Sequence, residues 1–115
     1  MNEVQIFQND EFGKIRAFDK NGEPWFVGKD VAKILGYKNT NAAIIQHVDE
    51  EDRMVEPVFN PPSQNARGYE IPTTIINESG LYSLILSSKL PTAKKFKRWV
   101  TSEVLPAIRV AGCYG

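Results

Sequence analysis

The chain is predicted to fold as an α+β domain: a small antiparallel sheet, a helix-turn-helix-like pair inserted after its third strand, and two C-terminal helices packed on it. Three observations predict this. Val4–Gln8, Lys14–Asp19 and Trp25–Val27 alternate loosely between apolar and polar residues and are punctuated by turn residues, as strands are. Residues 28 to 48 switch to helical spacing, interrupted by Gly36. Beyond Pro91, Phe96, Trp99, Val100, Val104 and Ile108 keep one helical stripe. At 115 residues the chain fits one domain, long enough to bury a single core and too short for two.

Taken in order, Asn21-Gly22 is the strongest short-range turn signal and predicts a two-residue hairpin into Trp25-Phe26-Val27. Gly28 is expected to end that strand and cap a helix whose Val31, Ile34 and Leu35 share one face, and Gly36 to stop it in a left-handed conformation. The turn Tyr37-Lys38-Asn39-Thr40 offers two N-cap residues for a second helix. Its Ala42, Ile45 and Val48 are expected inward, with Asn41, Ile44, Gln46 and His47 nearer the other side. Met54–Phe59 and Tyr69–Ile76 read as two more strands of an irregular hairpin, because Pro57 and Pro72 lack ladder donors and favour edges or bulges. The polar loop between them, residues 60 to 68 (NPPSQNARG), is too long for a tight turn.

Asn77 is expected to cap a helix running to about Ser88, with Ile76 and Leu81 as a hydrophobic staple around it. Thr92 is expected to cap the last helix, with Lys94, Lys95, Lys97 and Arg98 off its apolar stripe. Pro106 cannot donate to the Ser102 carbonyl, so that helix should kink or restart near Leu105.

Composition narrows the function classes. A hydrophobic content of 42%, with two Trp, six Phe and four Tyr, argues for a folded protein and makes Trp25 and Trp99 core anchors. Cys113 is alone, which excludes an intramolecular disulfide within this sequence and suits a reducing compartment. No stretch reaches the ~20 apolar residues of a membrane span, so a cytoplasmic protein away from membranes is expected. Fourteen basic residues balance fourteen acidic ones, yet residues 86–115 hold six of the basic residues against Glu103 alone.

In the helix pair, Lys29, Lys33 and Lys38 outnumber Asp30, and Asn and Gln side chains suit adenine edges while Lys suits phosphate or guanine. Lys29, Lys33, Lys38, Asn39, Thr40, Asn41 and Gln46 are therefore candidate contacts to double-stranded DNA, the alternative being a purely structural helical hairpin. Arg67 in the loop is a candidate minor-groove contact, or part of a loop with no role. Lys94, Lys95, Lys97 and Arg98 are candidate phosphate contacts or a solvated face. Asp49–Asp52 reads as a solvated acidic turn, since four consecutive carboxylates splay and lack the spacing of a calcium loop. His47 is the only histidine, no Gly-rich phosphate loop is present, and the chain reads as non-enzymatic, without metal or cofactor.

Four blocks, WFVGKDVAKILGY, Asn39 to Val48 running into HVDEEDR, NESGLY and FKRWVTSEVLPAIR, stand in an order that resembles the Bro-N domain. That domain is the amino-terminal module of phage and prophage antirepressors and of baculovirus repeated-ORF proteins. The likeness covers nearly the whole chain, as one domain over residues 1–115, entire or excised from a longer protein. It implies a DNA-binding or antirepressor role without catalysis or cofactor, with a homodimer left open. The tail from Val110 to Gly115 departs from the family's basic, Gly-Gly-Tyr-like ending. A second class stays open: a protein-interaction module that binds a phage repressor without touching DNA. An exposed apolar patch with an acidic border would favour that class, and a continuous stripe of Lys29, Lys33, Lys38 and Arg67 would favour DNA.

Overall fold

The computed structural model describes residues 4–60 and 68–108, with the side chains of residues 59 and 60 left aside. Most of the 60–68 loop with Arg67, and the tail with Arg109 and Cys113, lie outside the described residues.

Five strands form one antiparallel sheet in the order β1-β2-β3-β5-β4. They are β1 (Gln5–Asn9), β2 (Gly13–Lys20), β3 (Glu23–Val27), β4 (Arg53–Asn60) and β5 (Tyr69–Asn77). Asn21 and Gly22 both take positive φ, 54° and 83°, as a two-residue hairpin matched to strand twist requires. Alternation along the strands divides two apolar sets. Ile15, Ala17, Phe26 and Ile76 face the helices, whereas Phe18, Trp25, Val27 and Ile75 form a separate buried cluster on the other face.

That second face is covered by the sheet itself. β3 pairs with β5 only at Ile75–Asn77, while the β4–β5 ladder runs on to Asn60↔Tyr69. The outer part of this hairpin bends back, bringing Val58 into the cluster with Phe18 and Trp25. The Glu56 carboxylate accepts a hydrogen bond from Lys20 of β2, although two strands lie between β2 and β4 in the sheet. The hairpin is regular, not irregular as the prolines suggested, because Pro57 and Pro72 face each other in an unbroken register. Two residues without N–H can oppose one another only at a non-hydrogen-bonded pair, where neither donor is missed.

Helices cover the first face: α1 (Gly28–Ile34), α2 (Thr40–His47), α3 (Glu78–Ser87) and α4 (Ala93–Trp99). Asn77 caps α3 as expected, its side chain accepting from the Gly80 N–H at 2.9 Å. Thr92 occupies the N-cap position of α4 but makes no capping bond, its own backbone being already helical (φ −81°, ψ −5°) where a capping residue is extended. The strain of Pro106 is taken up by a π-helical turn at Val100–Val104, where the Leu105 N–H bonds to Val100 O, after which the helix runs to residue 108. Phe12, from the β1–β2 turn, meets Phe96 edge-on at 5.5 Å and stacks on Trp99 at 6.0 Å between ring centroids. These rings close the core beneath α4.

Candidate nucleic-acid interface

The helix pair is fixed to the body at three points. The β2–β3 ladder ends at Ala17↔Phe26, and the N–H of the next residue of β2, Arg16, donates to Asp30 of α1 at 3.0 Å. The same carboxylate takes the Arg16 guanidinium through two bonds, at 2.9 and 3.0 Å. The hydrogen bond to Asp30 holds the Arg16 pKa above its ordinary value, ahead of the opposing effect of burial. Tyr37, in the turn between the helices, donates to the Leu84 carbonyl of α3 at 2.7 Å, and Ser88 donates to the Leu35 carbonyl at 2.8 Å. Gly36 takes the left-handed conformation that ends the first helix, φ 86°.

Gly28 has a different task from the capping expected of it. The position before α1 is Val27, which makes no side-chain cap, and Gly28 is buried inside the first turn. A Cβ there would come within 2.6 Å of Ile44 Cδ1 and 3.3 Å of the Thr74 carbonyl. The missing side chain lets α2 settle against α1 and β5. This contact overturns the expected face of α2: Ala43, Ile44 and Val48 are buried, whereas Ala42 and Ile45 are exposed, Ile45 at 65%. With ~100° per residue, Asn41, Ile45, Ala42 and Gln46 follow one another over about 140° of the outward surface.

Asn39 is the N-cap, accepting from the Ala42 N–H at 3.0 Å, so its side-chain oxygen is already engaged; Thr40 beside it is half-buried. Asn41 and Gln46 are exposed and make no hydrogen bond among the described residues. Lys29 and Lys33 share the outer side of α1, and Lys38 stands exposed in the turn. None of the three forms an ion pair among the described residues, and Asp30, the acid nearest them in sequence, is held by Arg16. Lys29 and Asn41 line one groove, walled by Thr73 and Thr74 of β5. A second groove continues along α2 past Ile45 to Met54 and Val55 of β4, with Glu50 and Arg53 at its rim.

Lys94, Lys95, Lys97 and Arg98 form a separate basic surface on α4, with the Lys97 ammonium 5.8 Å from the centre of the Tyr82 ring. Asp52 of the acidic turn accepts from Asn77 Nδ2 at 3.1 Å, and among the described residues no cluster of metal-ligating groups forms. His47 packs near Tyr37, ring centroids 5.5 Å apart. Residues the helical pattern did not single out as contacts, Ala42 and Ile45, are those that the docking of Ile44 under Gly28 turns outward. No helix among the described residues is long and apolar enough to cross a membrane.

Sheet, helix pair and hairpin define a small α+β module that displays a short, uncharged helical face beside an antiparallel hairpin. The chain belongs to the BRO family, N-terminal domain, whose model matches residues 14–106. It is 42% identical over 103 residues to the putative Bro-N domain-containing protein 289L of Invertebrate iridescent virus 6, a match covering 79% of this chain and 25% of that protein. An uncharacterized protein of Haemophilus influenzae is 41% identical over 96 residues, covering 84% of this chain and 45% of that protein. An uncharacterized Bro-N domain-containing protein of Acanthamoeba polyphaga mimivirus is 33% identical over 120 residues, 98% of this chain and 49% of that protein. The chain thus spans about a quarter to a half of the length of these curated relatives. No solved structure matches it.

Proposed function

We propose that this domain is the DNA-binding module of a phage or prophage antirepressor-type transcriptional regulator, and that the outer face of α2 reads double-stranded DNA. The observation that carries the reading is a pair of exposed amides, Asn41 and Gln46, that make no hydrogen bond among the described residues, with Lys29 lining one groove with Asn41 and Lys33 and Lys38 exposed on the same helix pair. Amides specify, by bidentate bonds to adenine, while lysines position the protein on phosphates. The proposal has the domain acting in the cytoplasm, without catalysis or cofactor, alone or as a homodimer on a two-fold site.

Binding to duplex DNA over a salt series tests it. With ~3 to 6 phosphate contacts, log affinity should fall against log salt with a slope of about −3 to −5. Asn41→Ala or Gln46→Ala should flatten sequence preference by about 1 to 3 kcal/mol at one position and leave affinity for random DNA unchanged. Absence of binding at low salt would sink the reading. A second reading has its own observation: Ile45, Met54 and Val55 are exposed beside Glu50 and Arg53, an apolar patch with a charged border that suits a phage repressor as partner. That reading gains if DNA binding is absent.

A further inference from the structure

We infer that Ile45 is a specificity-determining contact that seats the 5-methyl group of thymine, so that α2 selects A·T base pairs. The inference rests on the DNA reading above and extends it to the chemistry recognised. Ile45 is 65% exposed at the centre of the outward arc, between Asn41 and Ala42, with Gln46 at the far side. It contributes nothing to the buried face, which Ala43, Ile44 and Val48 already fill. An amide side chain offers one donor side and one acceptor side, matching N6 and N7 of adenine, and thymine presents its methyl group in the same major groove. A face ordered amide, isoleucine, alanine, amide therefore complements adenines flanking or opposite thymine methyls. Guanine is poorly served: α2 (TNAAIIQH) carries no Lys or Arg, the side chains that bond O6 and N7 together. The nearest lysines, Lys29, Lys33 and Lys38, are exposed on α1 and the turn and not on α2 itself, and Lys29 lines a groove with Asn41.

Uracil isolates the proposed contact, since it keeps every hydrogen-bonding group of thymine and lacks only the methyl. Preferred sites are first selected with the wild-type domain, and each thymine is then replaced by uracil in turn, with affinity read by fluorescence anisotropy. Replacement at one or two positions should weaken wild-type binding about fourfold, the worth of one methyl-sized group removed from water. Ile45→Val should keep that sensitivity. Ile45→Ala should bind the thymine site about as weakly as wild type binds the uracil site, and should lose the distinction between the two. A thermal melt matching wild type shows that the variant is folded, as the exposure of Ile45 leads one to expect.

Wild-type indifference to uracil, with Asn41→Ala still flattening sequence preference, would overturn the inference and leave the DNA reading standing. Full retention of thymine-site affinity by Ile45→Ala would also overturn it and leave the exposed isoleucine to a protein partner. Absence of DNA binding altogether would remove both readings together.

Discussion

Helices α2 and α4 each bury one face and expose the other, but what they expose is opposite in kind. The open face of α4 is Lys94, Lys95, Lys97 and Arg98, whereas that of α2 is Asn41, Ala42, Ile45 and Gln46, with no charge at all. A charged face attracts any polyanion and falls off with salt; a neutral face of amides and apolar groups gains nothing until its shape and bonds match a partner. Chain neutrality therefore does not describe the chain's surfaces, because the basic cluster and the exposed amides sit on different helices. The two helices are also held differently. α4 is anchored by rings, Phe96 and Trp99 against Phe12, while α2 is held by small and aliphatic side chains, Ala43, Val48 and an isoleucine, Ile44, lying under a glycine.

The contrast in anchoring predicts the largest effect. Trp99→Ala should cost about 3 to 5 kcal/mol, as removal of a buried ring does. Lys94→Ala combined with Lys95→Ala should leave the denaturation midpoint nearly unmoved, since both ammonium groups are exposed and unpaired among the described residues. Urea unfolding of both variants checks this, and equal losses would mean that α4 is not divided into an inner and an outer face.

A smaller effect tests the face of α2. Ile44→Ala should cost about 2 to 4 kcal/mol, because Ile44 is 2% exposed and fills the space that Gly28 leaves, whereas Ile45→Ala should stay within about 0.5 kcal/mol. This pair also shows why α2 was hard to read. Two adjacent isoleucines and two adjacent alanines support two apolar stripes, Ala42-Ile45-Val48 and Ala43-Ile44-Val48, that periodicity cannot separate. The choice is made by a contact between Gly28 and Ile44, sixteen residues apart, with β5 behind them. In α4 the stripe is written in Phe and Trp, whose size admits one phase, and sequence alone places it.

The same division runs through the rest of the fold. All five strands, the Asn21-Gly22 turn and the Asn39 and Asn77 caps were legible because local chemistry decides them. The return of the β4–β5 hairpin over Phe18 and Trp25 was not, since it follows from twist accumulated over a whole ladder. Nor was the neutralisation of Asp30 by Arg16, which changes the charge around Lys29 and Lys33 and depends on where β3 stops. Candidate contacts on α1 and α2 were thus identified by residue type, but the order in which α2 presents them needed the packing.

The smallest effect concerns the tether between the helix pair and the core, a side-chain hydrogen bond from Tyr37 to Leu84 of α3. Tyr37 donates its hydroxyl hydrogen to the Leu84 carbonyl, and burial raises its pKa above the ordinary 10.0. Below that value the phenol is neutral in folded and unfolded chains alike, and it adds no pH dependence. Above it the unfolded chain loses the proton first, so the contribution of Tyr37 to stability is fully present below pH 10.0 and lost as pH rises through the higher folded value. Tyr37→Phe should cost about 0.5 to 1.5 kcal/mol at neutral pH, the usual worth of one hydrogen bond, with the ring still packed beside His47. It should also remove part of the alkaline decline in melting temperature as pH rises above 10.0. A melt series of both proteins across that range measures the difference, and parallel curves would mean that the turn is held by packing, as α4 is, and not by its hydrogen bond.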